Sequence, residues 1–365
     1  MRVALVHDYL KEYGGAERVL EALHELFPKA PVFTLVYLPD FLGPHKSRFN
    51  SWEIKTSVAQ HLPYKNKLIS PLRILAPFLF KSFDFSNYDV IIVSATGAYN
   101  PTILDKKKAK IVCYCHTPPR YLYGYATARN LTNDPILKVF AGIANHILRM
   151  VDFKASENVD YYIANSEEVK GRIKKFYKKD AVVIYPPIDL PLVNVNSRKS
   201  NYFVTGGRLA RAKHIDIIVK ACSELNLPLK VFGKSFAGYG EELQSLAKNN
   251  VEFLGEVTDE EKWELLKEAK GFLFASEDED FGIVPVEAMA AGTPVIAYRS
   301  GGVKESIKEG KTGMFFDELT PQSLMAVIKE FETKKFYPEE CKKHASLFSK
   351  ERFLKEFSSF VSKIN

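Results

Sequence analysis

The sequence predicts an α/β protein with two doubly wound domains, each a parallel sheet with helices on both faces. Its 365 residues exceed what one hydrophobic core ordinarily serves, and they suit two domains of ordinary size. Short β-branched runs alternate with helical stretches, a pattern typical of parallel sheets. A proline pair, Pro186 and Pro187, divides these runs into two series.

Each predicted strand is a short apolar run bounded by polar or turn residues. In the first half the predicted strands are residues 3–6, 32–36, 90–93, 111–114, 161–164 and 182–185. In the second half they are residues 202–205, 229–232, 252–254, 271–274 and 295–297. Two such series indicate two separate sheets.

The domain boundary is predicted just after the proline pair, because proline continues neither a strand ladder nor a helix. A polar stretch, residues 194–200, follows and is interpreted as the linker. The chain then divides into an N-terminal domain, residues 1–190, and a C-terminal domain, residues 191–346. Residues 347–365 form a closing helix. Its apolar residues at helical spacing are Phe353, Phe357, Phe360 and Val361.

The composition indicates a folded protein of a reducing compartment. It is 46% hydrophobic and 26% charged, as in globular proteins. No apolar run approaches the ~20 residues of a transmembrane helix, and His7 and Asp8 interrupt the first run, which favours a strand over a signal peptide. The four cysteines form no disulfide framework. We therefore expect a cytoplasmic protein.

The net charge of +7 is unevenly distributed. Residues 1–190 hold 26 Lys and Arg against 18 Asp and Glu, so the basic excess lies in the first half. An anionic membrane, a lipid-phosphate acceptor or a plain solvated surface all fit this balance, and no nucleic-acid motif accompanies it. Cys113, Cys115 and His116 suggest a metal site. However, the cysteines alternate along a strand, and the sequence offers no second pair of ligands to complete the site.

The most informative segment runs from residue 276 to residue 297. An acidic loop follows a strand and ends at Gly282. Pro285 suits the first turn of a helix that begins there, and Gly292 suits the end of that helix. The helix start at Gly282, with the backbone of Ile283 and Val284, predicts free N–H groups that bind a diphosphate. Glu287 falls in the first turn of this helix, where its carboxylate can accept hydrogen bonds from sugar hydroxyls. The acidic loop also contains Glu279.

A second segment combines glycines with two cations. A strand leads into Gly206 and Gly207, and Arg208 and Lys213 follow near a helix start. Glycine permits close approach to phosphate, and the cations stabilise the charge of a departing diphosphate. We expect neighbouring Arg211 to face solvent.

The first half offers two smaller signals. Gly14 and Gly15 form a glycine turn after the first strand, and G-x-G-x-x-G is absent, which disfavours a nicotinamide enzyme. His116 follows a buried strand, where α/β proteins place ligands. Both features also have a purely structural interpretation.

These segments together resemble glycosyltransferase family 4, whose members are retaining enzymes of the GT-B fold. Glu279 and Glu287, with seven residues between them, match its E-x7-E signature, and Gly207 to Lys213 match its G-R-L-x-x-x-K segment. Gly14 and Gly15 resemble its G-G-x-E-R loop. The resemblance covers almost the whole chain and implies two Rossmann-like domains facing a central cleft, with the closing helix crossing back to the N-terminal domain.

The resemblance also implies a role for each site residue. Arg208, Lys213 and the backbone from Gly282 through Ile283 to Val284 would hold the donor diphosphate. Glu287 would bind the ribose and Glu279 the hydroxyls of the donor sugar. His116, Gly14 and Gly15 would face the transferred sugar. Weaker candidates, for acceptor contacts and for the family's A-N-S segment, are Arg120, Tyr121, Tyr123 and the run Asn165, Ser166 and Glu167.

The segment and the proline pair look most like those of bacterial mannosyltransferases that assemble O-antigen or similar surface polysaccharides. This favours GDP-mannose as the donor, with a UDP-sugar as the alternative, and a glycan or lipid-linked acceptor. A sugar-nucleotide epimerase of the same fold and a non-catalytic binding subunit are the rivals from other classes. Asp278 and Asp280 suggest the D-x-D metal triad of the other glycosyltransferase fold, but the E-x7-E spacing argues against it. We predict no obligatory metal or other cofactor.

The segment from residue 63 to residue 81 interleaves basic, aliphatic and aromatic residues. It suits peripheral contact with the inner face of the cell membrane. It equally suits a helix that covers the N-terminal sheet, and the sequence leaves both open.

Overall fold

A computed structural model describes residues 1–125, 135–190 and 200–364, with the side chains of residues 135–140 not described. The described residues separate into two compact units. The first contains residues 1–125, 135–187 and 353–364, and the second contains residues 188–190 and 200–352. The predicted linker falls on residues 191–199, outside the described residues.

The first unit is built on a seven-stranded sheet in which every neighbouring pair is parallel. Its strands are β1 (Val3–His7), β2 (Val32–Thr34), β3 (Ile54–Thr56), β4 (Val90–Ala95), β5 (Lys110–Cys115), β6 (Tyr161–Ala164) and β7 (Ala181–Val183). Their order is β3-β2-β1-β4-β5-β6-β7. The order reverses between β1 and β4, and doubly wound sheets bind ligands beyond the carboxyl ends of strands at such a point.

Helices cover both faces of this sheet. They are α1 (Gly15–Leu26), α2 (Leu72–Lys81), α3 (Arg120–Tyr123), α4 (Pro135–Glu157), α5 (Glu167–Tyr177) and, from the end of the chain, α13 (Lys350–Lys363). On one face α2 and α5 share a core with Val6, Ile91 and Val93. On the other face α1 and α13 share a core with Leu5 and Tyr114.

The second unit repeats this architecture with a six-stranded parallel sheet. Its strands are β8 (Phe203–Gly206), β9 (Leu229–Phe232), β10 (Val251–Gly255), β11 (Gly271–Phe274), β12 (Val295–Tyr298) and β13 (Gly313–Phe316), in the order β10-β9-β8-β11-β12-β13. Its helices are α6 (Ile215–Glu224), α7 (Tyr239–Leu246), α8 (Asp259–Glu268), α9 (Ile283–Ala290), α10 (Val303–Ser306), α11 (Pro321–Thr333) and α12 (Pro338–Ala345).

The two doubly wound sheets confirm the predicted fold class. Two strands were not predicted. Ile54–Thr56 is a half-exposed edge strand with a central lysine, and Gly313–Phe316 is a four-residue apolar run too short to indicate a period. The strand predicted at 182–185 begins and ends earlier, because Tyr185 precedes the proline pair and lies beyond the last ladder residue, Val183. Among the described helices, none has the length and apolarity needed to cross a membrane.

Candidate active site

In the second unit, the two segments singled out from the sequence meet at the carboxyl ends of neighbouring strands β8 and β11. The ammonium group of Lys213 contacts the carboxylate of Glu279. The hydroxyl of Ser276 donates to the same Glu279 oxygen at 2.6 Å. The backbone N–H of Glu277 donates to the carbonyl of Ala212 at 3.2 Å, so backbone and side chains both join the segments.

Glycines allow the turn after β8 to approach its neighbours closely. Gly207 has a φ of +115°, and a Cβ built there would lie 3.7 Å from Val284 at the start of α9. A Cβ on Gly233 would lie 1.8 Å from the carbonyl oxygen of Gly207, which no side chain can tolerate. The glycine turn is therefore packed from two sides, and it lies beside the predicted diphosphate-binding backbone.

The α9 N-terminus has the features of an anion site. Gly282 occupies the N-cap position in the left-handed region, with a φ of +89°, and, having no side chain, it makes no capping hydrogen bond of its own. Ile283 and Val284 occupy the first turn, where N–H groups and the helix dipole favour a negative charge. Lys213 adds a full positive charge at its contact with Glu279.

The two acids of the E-x7-E segment differ in their surroundings. The Glu279 side chain is 14% exposed, whereas that of Glu287 is 2% exposed. The ammonium of Lys262, on α8, donates to Glu287 at 2.9 Å. This lysine was not predicted, and its neighbouring capping box, Thr258 with Glu261, indicates only a helix start. An ion-paired carboxylate this deeply buried is held in one orientation.

A glycine pair after β12, Gly301 and Gly302, packs against the backbone of the acidic loop. The N–H of Gly302 donates to the carbonyl of Glu279 at 2.7 Å. A Cβ on Gly301 would lie 2.2 Å from that same oxygen, and one on Gly302 would lie 2.3 Å from the carbonyl oxygen of Asp280. Sequence reasoning missed this pair, although two adjacent glycines after a predicted strand were a visible signal.

The two arginines of the β8 segment have different positions. Arg208 is exposed. Arg211 forms an ion pair with Glu242, and its guanidinium lies 5.2 Å from the ring centre of Tyr239. Arg211 is therefore engaged at the surface, on the side of α7.

The first unit holds its predicted residues through a line of buried side chains. Nε2 of His116 lies 2.9 Å from Oγ of Ser94, and the same oxygen lies 3.1 Å from Nδ1 of His7. Nε2 of His7 lies 3.5 Å from a carboxylate oxygen of Glu17. The other oxygen of Glu17 accepts the N–H of Gly14 at 2.8 Å, which caps α1. The glycine turn and His116 are thus connected.

Burial, and secondarily His7, lowers the pKa of His116 to about 3. At neutral pH the ring is therefore uncharged and works as a hydrogen-bonding group. The amide of Asn165 donates to the backbone carbonyl of His116 at 3.0 Å, and Ser166 caps α5. The A-N-S segment therefore fixes the loop that carries this histidine.

Asp8, at the end of β1, organises the loop after β4. Its carboxylate accepts the N–H groups of Ala98 and Tyr99, each at 3.0 Å, and the hydroxyl of Thr96 at 2.6 Å. Burial raises the pKa of Asp8, against the opposing effects of His7 and these hydrogen bonds. The sequence showed Asp8 only as an interruption of an apolar run.

One of the weaker acceptor candidates, Tyr123, contacts a second buried acid, Asp152. The hydroxyl of Tyr123 donates to Asp152 at 2.7 Å, and burial raises the pKa of that carboxyl to about 6. The guanidinium of Arg73 lies 4.3 Å from the ring centre of Tyr121. Arg120 begins the same short helix, α3.

Within the described ranges, no group of three or more His, Cys, Asp or Glu side chains is arranged to hold a metal ion. Cys113 and Cys115 are buried on one face of β5, in the same core as Val93. Their alternation places both in hydrophobic packing.

Two protein-family models match this chain. One, described as Glycosyltransferase Family 4, matches residues 13–191, and the other, Glycosyl transferases group 1, matches residues 193–348. An uncharacterised glycosyltransferase of Methanocaldococcus jannaschii is 28% identical over 79% of this chain and 83% of its own length. An alpha-1,3/1,6-mannosyltransferase of Rhizomucor pusillus is 25% identical over 73% of this chain and 68% of its own length.

Solved structures share the fold over the full chain. Sucrose-phosphate synthase from Thermosynechococcus elongatus has a TM-score of 0.75 at 18% identity, covering 100% of this chain and 99% of that chain. Anabaena HepE in complex with UDP-glucose has a TM-score of 0.72 at 18% identity, covering 100% of both chains. With one family model on each half and the same two-sheet architecture throughout, the chain belongs to the glycosyltransferases of family 4 and has the GT-B fold.

Proposed function

We propose that this glycosyltransferase is a retaining mannosyltransferase that moves mannose from GDP-mannose to a glycan or lipid-linked acceptor during polysaccharide assembly. The observation that carries the proposal is the Lys213–Glu279 pair beside the α9 N-terminus at Gly282. The mannosyltransferase name of the Rhizomucor pusillus relative supports mannose. We place the activity in the cytoplasm, at the inner face of the cell membrane.

The proposed roles follow the two charges of that pair. In the structure Lys213 and Glu279 neutralise each other. When a donor arrives, Lys213 and Arg208 take the diphosphate together with the backbone of Gly282, Ile283 and Val284. Glu279 then accepts hydrogen bonds from the sugar hydroxyls. The exchange replaces one ion pair by two ligand contacts: the cations meet the negative diphosphate, and the Glu279 carboxylate is stabilised by hydrogen bonds from the hydroxyls.

The remaining roles are assigned from the family resemblance. Glu287, oriented by Lys262, binds the ribose. His116 and the turn at Gly14 and Gly15 contact the transferred sugar.

Retention is explained by attack of the acceptor on the face from which the diphosphate leaves. The departing phosphate oxygen takes the acceptor's proton, and Lys213 stabilises the charge that develops on the diphosphate. His116, whose pKa is about 3, stays neutral and acts as a hydrogen-bonding group rather than as an acid.

A UDP-sugar is the second candidate donor. The solved structures of Anabaena HepE that share this fold contain UDP, UDP with glucose, and UDP-glucose. The reaction class and the diphosphate contacts are the same for both donors, so the base decides between them.

Calorimetric binding of GDP, UDP and ADP, with and without Mg²⁺, tests the proposal. We expect GDP to bind most tightly and Mg²⁺ to have no effect. Lys213→Ala should weaken GDP binding by roughly ten- to a hundredfold and remove most turnover, because a charge-assisted contact to phosphate is lost. Arg211→Ala is the matched control, since its partner is Glu242, and it should bind GDP normally.

Each other outcome has a distinct meaning. Preference for UDP would replace the donor and keep the reaction class. Absence of nucleotide binding by the folded protein would contradict the proposed function. Normal turnover in folded Lys213→Ala would remove the phosphate role of this lysine.

A further inference from the structure

Helix α2 of the first unit is apolar on both sides. Its inner side, with Leu72, Ala76 and Phe80, is buried against the sheet. Its outer side carries Ile74, Leu75 and Phe78, which are between 50% and 74% exposed. The segment from residue 63 to residue 81 thus does cover the sheet, but Ile74, Leu75 and Phe78 take no part in that role.

Helix α4 shows the same arrangement. Asp152 and Ala155 are buried on its inner side. Ile143, Ile147 and Met150 follow one another at steps of four and three residues and are between 52% and 56% exposed. This spacing places them on one stripe of the helix.

The two helices that carry these stripes are neighbours in the first unit. Both α2 and α4 pack against the short turn Pro101–Ile103. Arg73 of α2 stacks on Tyr121 of α3, and α3 in turn packs on α4. We call the six exposed side chains the apolar face: Ile74, Leu75, Phe78, Ile143, Ile147 and Met150. Monomeric proteins rarely expose many large apolar side chains on neighbouring helices without a partner.

Most charges around the apolar face are basic, although Asp84, just after α2, and Glu157, at the end of α4, are exposed acids. Residues 54–83 contain five Lys and Arg and no Asp or Glu, and residues 135–151 contain Lys138 and Arg149 and no acid. Lys67 and Lys81, around α2, are exposed, as are Arg149 and Lys154 on α4. Apolar side chains flanked by mostly basic residues are complementary to a bilayer with anionic headgroups. The apolar side chains meet the acyl chains, and the Lys and Arg side chains meet the headgroups.

We propose that the apolar face lies in the interfacial region of an anionic phospholipid bilayer. Helix α2 has ten residues, and no described helix is long and apolar enough to span a membrane, so the helices lie along the surface. The inference rests on the proposed function in one respect: the enzyme would meet a lipid-linked acceptor at the same membrane surface.

The test is flotation of the full-length protein with vesicles of phosphatidylcholine alone or with 30 mol% phosphatidylglycerol. We expect binding to the anionic vesicles that weakens with salt, and weaker binding to the neutral ones. The double variants Ile74→Ser/Phe78→Ser and Ile147→Ser/Met150→Ser should each bind the anionic vesicles at least tenfold more weakly. The matched controls are Val182→Ser and Leu347→Ser, which change exposed apolar residues elsewhere and should bind normally.

Two results would overturn the inference. One is unchanged vesicle binding by both double variants. The other is a wild-type dimer, seen by light scattering, that the double variants dissociate, because a second copy of the chain would then cover the apolar face. GDP calorimetry on the same variants separates this inference from the proposed function. Both double variants should bind GDP normally, whereas failure of the wild type to bind GDP would leave the vesicle result standing.

Discussion

At the residue scale, the surroundings of His116 show what sequence alone can predict. Its place at a strand exit was predictable from the apolar run before it and the prolines after it. Its partners were not, because Ser94 and His7 lie on β4 and β1 and approach only once the sheet forms. The same holds for Lys262 and Glu287, which are joined through α8 and α9.

We predict that His116 stays neutral throughout the physiological pH range. Burial lowers its pKa to about 3, so the unfolded chain takes up a proton at a higher pH than the folded protein does. The stability that neutral His116 contributes is therefore present above the unfolded pKa of about 6.5 and is lost as the pH falls from there toward 3. The measurement is the NMR shift of its ring proton, assigned with His116→Asn, which should not change between pH 5.5 and 8. A midpoint near 6.5 would contradict the burial argument.

At the scale of elements, the strands with strong apolar runs were predicted well, and the turns between them were not. The start of α9 was predictable because glycine and proline mark it. The support of the acidic loop by Gly301 and Gly302 was not, because it depends on an approach of two backbones. Local sequence reports which conformations a turn can adopt, but it does not report which loop lies against it.

Gly301→Ala tests that support. The substitution combines an unfavourable φ of +68° with a Cβ 2.2 Å from the carbonyl oxygen of Glu279, so the acidic loop must move. We expect a folded protein with GDP affinity lowered at least tenfold and stability lowered by about 1–3 kcal/mol. Gly310→Ala is the control, because its φ is +73° and nothing lies within 4 Å of its Cβ. Calorimetry and urea denaturation give both quantities, and equal losses of affinity in the two variants would rule out the contact as the cause.

At the scale of the whole molecule, two parallel sheets were predictable from two series of apolar runs. The structure adds that each sheet reverses its order after its third strand in space, β1 in the first unit and β8 in the second. It also shows that α13 supplies Phe353, Phe357 and Val361 to the core of the first unit. Helical spacing predicted the helix, but its packing partner came from family resemblance.

Phe357→Ala should destabilise the first unit by about 3–5 kcal/mol, because the buried ring packs against Phe353 and Tyr114. Each unit has one tryptophan, Trp52 in the first and Trp263 in the second, so Trp263→Phe and Trp52→Phe backgrounds report each unit by fluorescence. We expect the Trp52 transition to move to lower urea. Phe78→Ala, at an exposed site, should leave it nearly unchanged. An unmoved Trp52 transition in Phe357→Ala would show that α13 is dispensable for this unit.

The late position of α13 has a consequence for synthesis on the ribosome. The first unit's strands and other helices have all emerged by residue 187, but Phe353 follows roughly 165 residues later. At about 5–20 residues per second, α13 is synthesised roughly ten to thirty seconds later. Until then, α13 does not cover the side of the nascent sheet that carries Tyr114. During that interval the growing chain presents an uncovered aromatic surface, so we expect it to depend on chaperones that bind nascent chains.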